Sequence, residues 1–215
     1  MVVSSGKTLW KTLHCQSRRK ADSVLELERV PRDSLRFPNA RQFGIILAMQ
    51  PFAKRNFILQ QGLCEPAAET CPLQYSALLF QPRLIGLWLV AAVILQAPLG
   101  FFALAAVLWW SAFVPRFNPF DALYNWTLAR SGGPTLTAAP APRRFAQALG
   151  GLFALAIGVS LALGWRMTAR VIEGFFLVAI GALAFGGFCL GSFVFHLVRG
   201  RADFARRTLP WATDA

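Results

Sequence analysis

The sequence predicts an all-α, polytopic membrane protein, with about four transmembrane helices arranged as two helical hairpins and a short interfacial helix between them. Three observations carry that reading. Of 215 residues, 55% are hydrophobic and 15% charged, against roughly 25% charged in an ordinary soluble domain. Charges are absent from 84–115, 145–165 and 174–198, and a run of roughly 20 apolar residues crosses a bilayer. Basic stretches separate these runs, and Pro and Gly interrupt the longest. The composition excludes a disordered or collagen-like chain.

The run 84–115 would be roughly 48 Å long as one helix, too long for a hydrocarbon core of roughly 30 Å. It must fold back. Gln96-Ala97-Pro98-Leu99-Gly100 supplies the break, because Pro removes a helix donor and Gly accepts turn dihedrals. The first arm draws on apolar residues 76–80, with Arg83 snorkelling to the headgroups. The second arm, 99–114, reaches only roughly 24 Å, so a re-entrant hairpin stands as an alternative to a full crossing. Either way the chain returns to its starting side. The third span is expected over 145–164, after a 131–142 loop too rich in Pro and Gly to be helical. The fourth is expected as one helix over 169–198, long enough to tilt, and stopped by Arg199-Gly200-Arg201.

The net charge is +12, from 22 Lys and Arg against 10 Asp and Glu. An excess of that size points to nucleic acid or to an anionic membrane surface. Its position decides between them: most of the basic residues flank the spans on the side of both termini, while the 96–100 turn carries none and the 166–173 turn nets one. By the positive-inside rule the protein is expected in the inner (cytoplasmic) membrane as a multi-pass protein with both termini cytoplasmic. The bilayer is then the partner that the charge implies, and nucleic acid is not one. Trp109, Trp110 and Trp165 fall near span ends, where amphipathic rings favour the headgroup level.

Three parts follow: 1–74 as a cytoplasmic N-terminal segment, partly disordered or over-translated before Met49; 75–200 as the four-helix membrane domain; 201–215 as a cytoplasmic tail. The N-terminal segment lacks the order of regions in a secretory signal. Its Ser5-Gly6-Lys7-Thr8 echoes the end of a phosphate-binding loop, but the glycine that opens such a loop is missing. Between the hairpins, Asn118 as N-cap, Pro119 at the first helical position and Asp121 against the positive helix end start a short helix to about Ala129. Phe120, Leu123, Tyr124 and Trp126 give it an apolar face, suited to the interface or to packing on the spans.

Candidate chemistry is sparse. Cys64 and Cys71 are separated by six residues, outside the usual zinc spacing, so they are lesser metal or redox candidates beside incidental thiols. In the fourth span, Ala182 and Gly186 are four apart, as are Gly187 and Gly191, and the third span carries Ala146, Gly150, Ala154, Gly158 and Ala162 at fours. Small residues at that spacing let helices approach closely, and the two ridges are expected to face each other. Cys189 would sit beside that contact as a small buried hydrophobe or a redox thiol. Ser192 and His196 would share its face, although Cys189 and His196 are too far apart for a dyad, roughly 10 Å along the axis. His196, near a helix C-terminus, suits interfacial hydrogen bonding, with its protonated form favoured. Glu173, with Arg166 and Arg170 nearby, reads as a solvated ion pair. No metal set and no cofactor is expected.

Arg116-Phe-Asn-Pro-Phe120 after a helical hairpin, Ala141-Pro-Arg-Arg-Phe-Ala-Gln147 opening the third span and Phe188-Cys-Leu-Gly-Ser192 in the fourth together carry a resemblance. The chain resembles the bacterial membrane family catalogued as domain of unknown function 4395, over about residues 75–200. The resemblance implies a small four-span bundle without assigned activity, whose motif often ends in a second Cys. Here that position is Ser192. Cys189 would therefore need an external or distant thiol to cycle, which weakens a redox role.

The leading functional reading is a non-enzymatic bundle with a structural or accessory role in a membrane complex, partnered by another membrane protein or a second copy of itself. The alternatives are a thiol-redox membrane component centred on Cys189 and a small-solute transporter or channel.

Overall fold

The structure is a computed structural model that describes residues 51–67, 70–131 and 134–212. The readings made for 1–50, namely disorder or over-translation before Met49 and the phosphate-loop echo, lie outside the described residues. All regular structure among the described residues is helical: α1 (Pro51–Gln60), α2 (Cys71–Leu95), α3 (Pro98–Phe113), α4 (Pro119–Thr127), α5 (Ala141–Ala162), α6 (Arg166–Gly186), α7 (Leu190–Val198) and α8 (Ala202–Arg207).

Three of these, α2, α5 and α6, are long and apolar enough to cross a membrane. Pro72 just inside the start of α2 and Gln96 at its end, in the left-handed region at φ 49°, bound the first span. Pro98 then opens α3, so the fold-back lies where the sequence reading put it. At 16 residues α3 falls short of the span length alone; with Pro115–Thr127, which turns away from it by 119°, it forms a bent pair with the geometry of a broken fourth span or of a re-entrant loop. Asn118 caps α4, its Oδ1 accepting from the Phe120 amide at 3.0 Å. α3 lies along α5, and α5 also packs against α6 and α7, while α2 packs against α6 and α1. Leu89, Leu104, Leu108, Ile157 and Phe176 form the centre of the core between the spans.

The fourth span departs from expectation. In place of one helix over 169–198, α6 ends at Gly186, and Gly187 adopts φ 60°. The amides of Gly187 and Phe188 both donate back to the Ala182 carbonyl, Phe188 at 3.1 Å, which closes the helix end behind the left-handed glycine. A non-glycine residue at that φ would be strained. Cys189 is extended, and α7 starts afresh at Leu190. A 30-residue helix would be roughly 45 Å long; breaking it lets its last third pack on the bundle.

The small residues of the third span are distributed among several neighbours. A Cβ built on Gly191 would lie 2.7 Å from both Cα and Cβ of Ala146, so α7 and α5 touch backbone to backbone. Gly158 instead faces Phe101 and Phe102 of α3, and Gly150 faces Leu108 and Phe176. Ala154 is buried and Ala162 exposed. Gly186 meets nothing within 4 Å among the described residues, so the expected face-to-face ridge of Ala182 and Gly186 against α5 is not the arrangement present. Trp109 is half-buried. It rests on Gly151, and its Nε1 donates to the Ala148 carbonyl at 3.2 Å. Trp110 and Trp165 are exposed.

Residues 51–67 and 70–74, expected as part of the N-terminal segment, and the described part of the tail, 201–212, belong to this same unit. α1 packs on α2, and Asn56 donates to the carbonyls of Leu209 and Ala212 at 3.0 and 3.1 Å.

Candidate functional site

The end of the bundle that carries Arg143, Arg144, Arg199 and Arg201 gathers most of the buried polar side chains. Arg143 opens α5 and is 6% exposed. Its Nη2 donates to Asp121 Oδ1 and to Gln81 Oε1, each at 2.6 Å. Asn118 Nδ2 donates to the other Asp121 oxygen at 2.9 Å. Three helices, α2, α4 and α5, are thus tied by one guanidinium. The sequence reading had Asp121 serving only the α4 helix start. No local spacing announces its pairing with a residue 22 positions on.

Gln147, one turn beyond Arg143, donates through Nε2 to the same Gln81 Oε1 at 3.0 Å. That oxygen now accepts twice, which fixes both amides. Gln81 Nε2 and Gln147 Oε1 are left, buried and without a partner among the described residues. A polar residue inside an apolar span is the signal that could have singled out Gln81; Arg143 and Gln147, at i and i+4 on one face, were the other.

A second cluster surrounds the α6–α7 break. Gln60, at the end of α1 and fully buried, accepts from the Cys189 amide at Oε1 (3.0 Å) and meets His196 Nε2 with its carbonyl oxygen (3.1 Å). The first contact satisfies an amide that the broken helix exposes. The second requires the proton on Nε2. His196 Nδ1 and Ser192 Oγ have no partner among the described residues. With 4% exposure and Phe195 and Phe204 against its ring, His196 suits the neutral imidazole, since an imidazolium would bury a second donor unmatched. That reverses the charge expected from its place at a helix end. Ser192 and His196 are both in α7, one turn apart, whereas Cys189 is the residue before that helix.

Cys189 directs its side chain into an apolar cluster with Phe57, Cys71, Tyr75 and Leu79. Cys71 and Cys189 are buried free thiols, and Cys64 is exposed. Phe188 stacks obliquely on Phe193 and Trp211, which seats the break against the tail. Among the described residues no group of three or more His, Cys, Asp or Glu could hold a metal ion. At the other end, Glu173 is buried rather than solvated: it accepts from Gln96 Nε2 at 3.1 Å and stands 3.6 Å from Arg170.

The conserved-sequence model described as Domain of unknown function (DUF4395) matches residues 76–199, more than half of the chain. The chain belongs to that family. Comparison with curated proteins gives no match, and comparison with solved structures gives none. Within this family member, the matched stretch holds Gln81, Asp121, Arg143 and Gln147, while Gln60, which holds the Cys189 break, lies outside it.

Proposed function

We infer that the chain is a non-enzymatic helical bundle with an accessory, structural role in a complex of the inner (cytoplasmic) membrane, both termini lying in the cytoplasm. The observation that carries this is the outer face of α6. Gly174 and Gly181 lie mid-helix with nothing within 4 Å of a Cβ built on them among the described residues, beside exposed Phe175 and Val178. A glycine in a helix interior costs about 1 kcal/mol relative to alanine, and lipid requires none. A second helix does, because small residues let backbones approach. The partner is another membrane protein or a second copy of the chain. The orientation is supported by Arg143, Arg144, Arg199 and Arg201 at one end of the bundle, against Arg166 and Arg170 at the other.

Gly181→Leu tests the role. It should leave the protein folded and eluting at the same micelle-bound size as its own monomer, while a stoichiometric partner or dimer recovered from native membranes with the unaltered chain is lost. Recovery unchanged by Gly181→Leu overturns the reading. A reporter fused to either terminus and found outside the cytoplasm overturns the orientation.

The same reading makes Cys189 a packing residue. Cys189→Ala should accumulate as well as the parent, within about 1 kcal/mol in thermal unfolding, and leave any growth phenotype unchanged. Cys189→Ser, which places a hydroxyl among Phe57 and Leu79, should accumulate less. If Ala and Ser are equally inactive in the cell yet fully stable, the thiol itself is needed.

A further inference from the structure

We propose that the outer face of α4 is a docking surface for anionic phospholipid, with Arg116 and Arg130 at its two ends holding the lipid phosphates. The inner face of α4 is spent on the bundle: Phe120 joins the core, Tyr124 meets Phe80 edge-on, and Asp121 pairs with Arg143. The other side is uncovered. Phe117, Leu123, Trp126 and Leu128 are exposed, and they lie between Arg116 and Arg130 in the chain, both exposed as well. Asp121 is the one acid in 110–131, and it is already paired. Neither arginine meets a carboxylate among the described residues. The outer face is therefore apolar, aromatic and purely cationic, the composition of a helix that lies in the plane of an anionic membrane surface.

Two rulers in the fold place α4 at the right depth. Its contact with Phe80 lies 15 residues before the end of α2 at Leu95, roughly 22 Å by helical rise. Along the second arm, α3 covers roughly 24 Å from the same turn. With the Gln96 turn at one boundary of a hydrocarbon core of roughly 30 Å, α4 lies roughly 8 Å inside the other, within the depth of about 5–10 Å at which interfacial helices settle. The 119° bend after α3 lays it closer to the bilayer plane than to the normal. A cytosolic protein does not reach a face at that level, whereas a lipid does. The arginines choose which lipid. From that depth they snorkel to the phosphates, which a guanidinium grips with a fork of donors. Zwitterionic lipid brings its own ammonium beside the phosphate, so lipid of net negative charge is favoured. The Arg130 guanidinium stands 5.9 Å over the Trp126 ring, which sets the charge beside a ring suited to the headgroup level. The proposal stands whether or not α6 has a partner.

The test uses the full chain in phosphatidylcholine vesicles with a rising share of brominated lipid, either phosphatidylglycerol or phosphatidylcholine. Subtracting the fluorescence of Trp126→Phe from that of the unaltered chain isolates the Trp126 emission. Brominated phosphatidylglycerol should quench it at about a fivefold lower share than brominated phosphatidylcholine, the ratio that one arginine near an anionic surface supplies. Arg116→Gln with Arg130→Gln should bring the two lipids together, while Arg166→Gln, at the opposite end of the bundle, should leave the preference as it was. Each single variant, Arg116→Gln or Arg130→Gln, should lose part of it, which decides the matter if the double variant does not accumulate. Equal quenching by the two lipids in the unaltered chain overturns the proposal, as does a preference undiminished in the double variant. Trp126 quenched by neither lipid overturns it too, because water or another protein then covers α4.

Discussion

Asp121→Ala should destabilise the protein by about 3–5 kcal/mol, the cost of leaving a buried guanidinium without its partner. The pair is 2.6 Å apart with side chains 7% and 8% exposed, so solvent screens it little. Arg143→Ala should fall in the same range, since it strands the carboxylate and removes a donor from Gln81. The double variant Asp121→Leu with Arg143→Met should recover most of the loss, because replacing a buried pair by apolar groups of similar size is often neutral or better. Thermal unfolding in one detergent, read by gel filtration of the intact chain, measures all three. A double variant as unstable as the sum of the singles would mean that the pair does not act as a unit. The pair's structural consequence is position: with Asn118 it fixes α4 under the bundle, and α4 is what turns the chain back after the short α3.

Much of this architecture was legible before any coordinates. Charge-free runs long enough for a bilayer marked the spans, Gln96 and Pro98 marked the fold-back, and Asn118-Pro119 marked the start of α4, each by a local rule that the structure follows. What escaped was non-local. The break at Gly187 had two signals, a glycine pair and a helix roughly 45 Å long, but tilt can absorb excess length. What settles the break is Gln60, 129 residues before the Cys189 amide that it accepts from. Glu173 was misjudged for the same reason: its sequence neighbours Arg166 and Arg170 suggested a solvated pair, whereas Gln96, 77 residues earlier, buries it. The polar groups of the candidate site were present in the quoted motifs as Arg143 and Gln147 without their partner Gln81, and a polar residue in a span declares its importance only when its hydrogen bonds are counted.

The same change, glycine to alanine, should have opposite signs at two places in this bundle. At Gly191 a Cβ would stand 2.7 Å from both Cα and Cβ of Ala146. The Cα cannot rotate away, so α7 must lift from α5, and overpacking of this kind costs about 1–3 kcal/mol. The gain of about 1 kcal/mol in helix propensity offsets only part of it. Ala146→Gly in the same chain removes the Cβ contact but leaves the Cα, and should restore part of the loss. At Gly181 nothing lies within 4 Å among the described residues, so Gly181→Ala should stabilise the isolated protein by up to about 1 kcal/mol. Gly158→Ala falls between, because its nearest obstacle is the rim of the Phe102 ring at 2.8 Å, which can swing where a backbone cannot. The order Gly181, Gly158, Gly191, from most to least stable in thermal unfolding, follows from what each missing methyl would meet. An equal response at Gly191 and Gly181 would show that α7 does not lie against α5 at Ala146.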